Sequence, residues 1–153
     1  MTALVAGIGN LFFGDDAFGV EVARRLATDP PCAVTDFGIR ALHLAYELCK
    51  PYELCVVADC VARGGEPGTL YVIEPDTAEA DGVVADAHGM DLRVVFSAVR
   101  ELGGVLPEMI VVGCEPASVD EGIGLSEHVA RAIPGAAALI RDLVVQRTRK
   151  ALP

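Results

Sequence analysis

The chain has 153 residues, of which 52% are hydrophobic and 22% charged, and its formal net charge is −10. This length and composition predict one compact domain over residues 1–153 rather than a disordered chain. The acidic balance argues against nucleic-acid binding, because phosphate contacts need clustered lysine and arginine. No apolar stretch approaches the roughly 18 residues that predict a membrane-spanning helix. We therefore expect a soluble protein without a membrane or nucleic-acid partner.

The cysteines indicate the redox environment. There are five, an odd number, and none are spaced as CxxC. Reduced thiols in the cytoplasm fit this pattern better than a disulfide framework or a structural zinc site does. The expected localisation is therefore cytoplasmic.

Apolar runs alternate with segments of helical periodicity. In chain order they predict strand 3–8, helix 16–27, strand 33–37, helix 41–48, strands 53–59 and 68–75, a polar loop 76–90, helix 91–102, strand 108–116 and helix 126–149. Pro134 is expected to kink or split the last helix. The connection 60–67 is too short for a parallel crossover, so the fourth strand should run antiparallel to the third. The pattern predicts a three-layer α/β/α sandwich around a mostly parallel five-stranded sheet.

Acidic residues follow two of the predicted strands. Asp15 and Asp16 come after the first strand, and Asp59 ends the third. If the first strand lies between the second and third, as in flavodoxin-like windings, the strand order reverses between the first and third. Ligands bind at such a point, outside the carboxyl ends of the strands. This topology would bring the acids together.

The segment "GIGNLFFGDD" (residues 7–16) resembles a phosphate loop only in part. A dinucleotide fingerprint needs a third glycine where Phe12 stands, and a P-loop needs a lysine that is missing. Asp15 and Asp16 would also repel an anion at the helix N-terminus. A purely structural interpretation makes Gly7 and Gly9 a tight turn and lets Asp15 or Asp16 cap the helix.

Two further residues bear on the chemistry of the site. Asp59, at the end of an apolar strand, has little packing reason to be there. His88 lies in the polar stretch "DAHGMD", where a lone histidine is usually just solvated. Together with two or more of the carboxylates it would make a nitrogen and oxygen ligand set for zinc or nickel. Cys60 is a candidate sulfur ligand, although a small buried apolar role fits it better. No GxSxG elbow and no locally paired cysteine and histidine support nucleophilic catalysis.

Four segments together resemble the endopeptidases that mature nickel-iron hydrogenases. They are "GIGNLFFGDDAFGVEVARRL", "VVADCV", "DAHGMDL" and "GCEPASVDEGIGLS", and they run in order from about residue 4 to the final helix. The resemblance implies a five-stranded α/β sandwich and a protease that removes the C-terminal peptide of a hydrogenase large-subunit precursor after nickel insertion. By the same resemblance, "DFG" (36–38) and "CEP" (114–116) match further family segments near the cleft.

The resemblance also assigns the site. By motif, the metal-contacting and catalytic residues fall on Asp16, Asp59 and His88, the nickel arrives with the precursor, and no organic cofactor is needed. Some members carry glutamate where this chain has Asp16, so its side chain is one methylene shorter and Asp15 stays a possible substitute. The expected partner is the precursor, and the expected state is a monomer.

Two other functions stay open at this point. One is a nucleotide- or flavin-binding α/β module, which the glycine turn and the sheet type permit. The other is a catalytically silent metal-binding or chaperone-like protein on the protease scaffold, because binding and cleavage would use the same ligands.

Overall fold

The structure, a computed structural model, describes residues 2–78 and 91–151. The strands are β1 (Ala3–Ile8), β2 (Ala33–Gly38), β3 (Leu54–Cys60), β4 (Leu70–Ile73) and β5 (Glu108–Cys114). The helices are α1 (Phe18–Leu26), α2 (Ala41–Leu48), α3 (Leu92–Glu101) and α4 (Glu127–Ala151), and a 3₁₀ helix (Gly14–Ala17) leads into α1. The predicted alternation of strands and helices is confirmed, except that the first turn of the helix expected from residue 16 is 3₁₀.

The sheet has the order β2-β1-β3-β5-β4. β1 pairs in parallel with both β2 and β3, so the first strand lies between the second and third as expected. β3 pairs in parallel with β5, while β4 pairs antiparallel with β5. The one antiparallel strand is thus confirmed, although its neighbour is β5 rather than β3. The carboxyl ends of β1, β3 and β5 meet along one edge of the sheet.

Both faces of the sheet are covered. Alternate residues of β1 point to opposite faces: Leu4 and Ile8 belong to one core with α2 and α3, whereas Val5 belongs to the other with α1 and α4. A strand buried on both faces reads as a continuous apolar run, which is why β1 and β3 were visible in the sequence. The expected three-layer α/β/α sandwich is therefore the observed architecture.

The last helix is not split. α4 is continuous through Pro134 over its 25 residues. A proline inside a helix costs about 3 kcal/mol. Val129 and Ile133 before it, and Ala136 and Ile140 after it, are buried against the sheet. Burying a large aliphatic side chain contributes about 1.5–3 kcal/mol, so packing on both sides outweighs the lost hydrogen bond. Of the expected kink or split at Pro134, the split is wrong, and the kink stays a prediction.

Among the helices of the described ranges, none combines the length and the apolar character that a bilayer crossing requires.

Candidate functional site

Glycines allow the loop after β1 to fold tightly against the sheet. Gly9 has φ +140°, and a Cβ atom built there would lie 1.9 Å from the carbonyl oxygen of Asp16. A Cβ atom at Gly19, in the first turn of α1, would lie 2.0 Å from the carbonyl oxygen of Ala58 and 2.3 Å from that of Ile8. α1 therefore starts in direct backbone contact with the ends of β1 and β3. We therefore assign these glycines to close backbone packing rather than to phosphate binding.

Asp16 lies in the 3₁₀ helix and is fully buried. Its Oδ2 atom accepts a hydrogen bond of 2.8 Å from the backbone N–H of Asn10, which ties the carboxylate to the turn after β1. Its own N–H donates to the carbonyl oxygen of Phe13 at 3.1 Å. The 3₁₀ helix contacts β3, so the chain presents Asp16 beside the end of the neighbouring strand.

Asp59 is the second-last residue of β3 and lies opposite Gly113 of β5. Its side chain is buried, and its Oδ1 atom accepts a hydrogen bond of 2.8 Å from the N–H of Cys60. Cys60 is itself buried, in agreement with a small apolar role. Asp16 and Asp59 thus lie at the carboxyl ends of adjacent parallel strands, where the winding of the sheet predicts a ligand site.

Buried acids are concentrated at this edge. Within the described ranges, the buried charged residues are Asp15, Asp16, Asp59 and Glu115, and each ends or follows β1, β3 or β5. Burying a carboxylate is unfavourable unless hydrogen bonds or a cation compensate it. Each of these four carboxylates therefore needs hydrogen bonds from the fold, or a bound cation, to be stable at this edge.

The Asp15 side chain is hydrogen-bonded to residues between β5 and α4. Its Oδ1 accepts from the N–H of Ser126 at 2.7 Å, and its Oδ2 accepts from the N–H of Ala117 (2.8 Å), the N–H of Ser118 (3.2 Å) and the Ser126 hydroxyl (2.8 Å). Neither the 3₁₀ helix nor α1 has a side-chain cap, so the expectation that Asp15 or Asp16 caps the helix is wrong. Both oxygens of Asp15 are engaged, which argues against Asp15 as a metal ligand.

Glu115, in the "CEP" segment, is a residue to which the sequence analysis gave no role. Its Oε1 atom accepts hydrogen bonds from the N–H of Arg63 (2.8 Å), the N–H of Gly65 (3.0 Å) and the hydroxyl of Tyr71 (2.7 Å). Desolvation alone would raise the pKa of Glu115, but the Tyr71 hydroxyl and the backbone N–H groups outweigh it and hold the pKa below its usual range. The carboxylate thereby fixes the loop that follows Asp59. The signal available in the sequence was an acid directly after an apolar strand, as at Asp59.

Two open clefts flank this edge. One, of about 310 Å³, is lined by residues 9–12 and 36–40 together with Val20, which puts the "DFG" segment in its wall. The other, of about 470 Å³, is lined by the following residues: Leu11, Phe12, Ala17, Glu21, Arg24, Ile123, Gly124, Leu125 and Ala130. Phe12 lines both clefts and is 62% exposed. Phe12, which stands where a dinucleotide fingerprint has its third glycine, is therefore an exposed aromatic side chain in the wall of both clefts.

The third predicted site residue, His88, lies outside the described residues. In the part of the chain that the structure describes, no group of three or more histidine, cysteine, aspartate or glutamate side chains is arranged to hold a metal. The structure therefore brings Asp16 and Asp59 to one edge, and the ligand set of Asp16, Asp59 and His88 stays a prediction.

Comparisons with known proteins agree with this architecture. A family model described as hydrogenase maturation protease (HycI) matches residues 19–143. A putative hydrogenase maturation protease of Methanocaldococcus jannaschii is 32% identical over 145 residues, covering 90% of this chain and 92% of the relative.

Solved structures give the same result. The hydrogenase maturating endopeptidase HybD from E. coli superposes with a TM-score of 0.81 at 25% identity, covering 96% of this chain and 94% of HybD. The [NiFe] hydrogenase maturation protease HycI from Thermococcus kodakarensis gives a TM-score of 0.74 at 29% identity, covering 94% and 92%. The resemblance stated from the sequence motifs is confirmed, and the chain belongs to the hydrogenase maturation protease family.

Proposed function

We propose that this protein is an endopeptidase that removes the C-terminal peptide from the large-subunit precursor of a nickel-iron hydrogenase once nickel has been inserted. The observation that carries the proposal is the pair of buried carboxylates, Asp16 and Asp59, at the carboxyl ends of adjacent strands in a chain of this family. The overall reaction adds water across one peptide bond and releases a new C-terminal carboxylate and a new amine.

In this proposal the protein recognises its precursor by binding the metal that the precursor carries. The carboxylates of Asp16 and Asp59 and the imidazole of His88 form a mixed oxygen and nitrogen donor set that suits nickel in its divalent state. Both carboxylates are shielded from water, and a cation attracts such groups more strongly than solvated ones. Nickel seated in the precursor would complete its coordination with these side chains. A precursor without nickel would lack this anchor.

Docking through the metal also positions the substrate. The scissile peptide is held near the carboxylates, which replaces a bimolecular encounter by an oriented one. A metal ion in this position can polarise a carbonyl group or activate a water molecule. The two open clefts, which share Phe12 as a lining residue, leave room for the polypeptide beside the loop that carries Asp16.

The test compares nickel-loaded with nickel-free precursor by intact mass after incubation with the protein. We expect loss of a C-terminal peptide from the loaded form only, and no loss with Asp16→Asn, Asp59→Asn or His88→Ala. Asp29→Asn is the matched control, because the Asp29 side chain is 92% exposed and should tolerate the same chemical change.

Each outcome has a distinct meaning. An unchanged mass of the loaded precursor contradicts the protease assignment, and nickel binding without cleavage then favours the silent metal-binding alternative. Equal cleavage of the nickel-free precursor contradicts recognition through the metal while leaving the protease assignment intact.

A further inference from the structure

The loop between β5 and α4, residues 115–126, is held at both ends by one side chain. The Asp15 carboxylate accepts from the N–H groups of Ala117 and Ser118 where the loop begins, and from the N–H and hydroxyl of Ser126 where it ends. Asp15 is only 1% exposed. A single buried carboxylate therefore closes this loop, which we call the β5–α4 loop, into a compact unit.

The middle of the β5–α4 loop is joined to the segment that carries Asp16. Gly122 donates to the carbonyl oxygen of Phe12 at 2.8 Å, and Gly14 donates to the carbonyl oxygen of Gly122 at 2.9 Å. The N–H of Asp15 donates to the carbonyl oxygen of Ser118 at 3.0 Å. These backbone hydrogen bonds place the two loops side by side, with Asp15 beneath them.

The tip of the β5–α4 loop forms part of the cleft next to Asp16. Ile123 stands between Gly122 and Gly124, both at positive φ, and is 84% exposed. It lines the larger cleft together with Phe12 and Ala17, and Ala17 directly follows Asp16. The position of this loop therefore decides the shape of one wall of this cleft, beside the segment that carries Asp16.

We propose that Asp15 is a positioning residue that holds the β5–α4 loop as a substrate-contacting wall beside Asp16, and that Asp15 does not bind the metal. This inference rests on the proposed function, since the polypeptide in contact with the wall is the precursor. A carboxylate that accepts four hydrogen bonds cannot turn either oxygen toward a metal without leaving buried N–H groups unpaired. Asp15 thus acts on substrate binding through Ile123 and Phe12.

The kinetic test separates KM from kcat with nickel-loaded precursor. Asp15→Asn keeps the shape of the side chain but turns one oxygen acceptor into an NH₂ donor that faces N–H groups. We expect KM for the precursor to rise at least about tenfold while kcat changes less than about threefold. Ser126→Ala removes only the hydroxyl donor, and its KM should rise by about twofold to threefold. Ile123→Ser should raise KM and leave the loop in place.

Two measurements do not depend on cleavage. Hydrogen exchange of the Gly14 and Gly122 amides should accelerate at least about tenfold in Asp15→Asn and stay at the wild-type rate in Asp16→Asn. Affinity for Ni²⁺ alone, measured by calorimetry, should be retained in Asp15→Asn and lost in Asp16→Asn.

The inference is overturned if Asp15→Asn loses Ni²⁺ affinity as Asp16→Asn does while the Gly14 and Gly122 amides keep their protection. It is also overturned if Ser126→Ala and Asp15→Asn leave both KM and amide exchange unchanged. If wild-type protein does not cleave the precursor at all, the proposed function fails, and the exchange rates alone still decide whether Asp15 clamps the loop.

Discussion

The contact between α1 and the sheet can be tested with one methyl group. Gly19→Ala places a Cβ atom 2.0 Å from the Ala58 carbonyl oxygen and 2.3 Å from the Ile8 carbonyl oxygen, whereas ordinary contacts begin at 3.4 Å. Neither backbone oxygen can rotate away, so α1 must move off the ends of β1 and β3 by about 1 Å or more. Alanine favours a helix over glycine by about 1 kcal/mol. Overpacking of a rigid site costs about 1–3 kcal/mol and sometimes more.

Because the methyl group meets two backbone atoms, we expect the steric cost to exceed the gain in helix propensity. The free energy of unfolding should therefore fall by about 2 kcal/mol. For a domain of this length that corresponds to a fall in Tm of about 4–8 °C, measurable by calorimetry. Gly135→Ala is the matched control: it lies exposed in α4, where a Cβ atom would meet only the Leu70 Cδ1 atom at 3.8 Å. Its Tm should rise by about 2–4 °C, as helix propensity predicts. A Gly19→Ala protein as stable as wild type would refute the argument that backbone contact limits this position.

Two further perturbations probe buried groups. Glu115→Gln should lower the free energy of unfolding by about 1–2 kcal/mol at neutral pH, because the carboxylate accepts from Tyr71 and two backbone N–H groups. The folded-state pKa of Glu115 is lowered, so this stabilisation is present above the unfolded-state pKa and is lost as the pH falls through the folded-state value. Urea unfolding measures the difference in stability between variant and wild type, and the same difference at pH 7 and pH 3 would contradict this. Iodoacetamide at pH 8 should modify exposed Cys49 in the native protein and spare buried Cys55 and Cys114, since burial raises the pKa of both thiols, that of Cys114 to about 12. Native-state modification of Cys55 at the rate of Cys49, read by peptide mass spectrometry, would be the contrary result.

The four buried acids at the edge of the sheet divide by their partners. Asp15 and Glu115 accept hydrogen bonds from loops distant in the sequence, and each fixes the loop it contacts. Asp16 and Asp59 accept from the N–H groups of Asn10 and Cys60, within their own loop and strand end. Two acids thus stabilise the walls of the site, and the other two are the candidates for its chemistry.

Local sequence was sufficient for the five strands and for most of the helices. β1 and β3 are continuous apolar runs because helices cover both faces of the sheet, and such runs are recognisable without any partner being known. The short connection 60–67 was enough to predict the one antiparallel strand. Asp59 was proposed because an acid at the end of an apolar strand has little packing reason to be there. The four ordered motifs identified the family, and that resemblance singled out Asp16.

Tertiary structure decided what each acid contacts. Asp15 and Asp16 are identical neighbours in the sequence, yet the hydrogen bonds of Asp15 reach residues 117–126, more than a hundred positions away. The hydrogen bonds of Glu115 likewise join it to residues 63–71, and the continuity of α4 through Pro134 depends on side chains packed against the sheet. Local propensity predicts where a strand or helix forms, because the backbone responds to nearby residues. The partner of a buried carboxylate is settled only when distant loops fold together and remove that carboxylate from water.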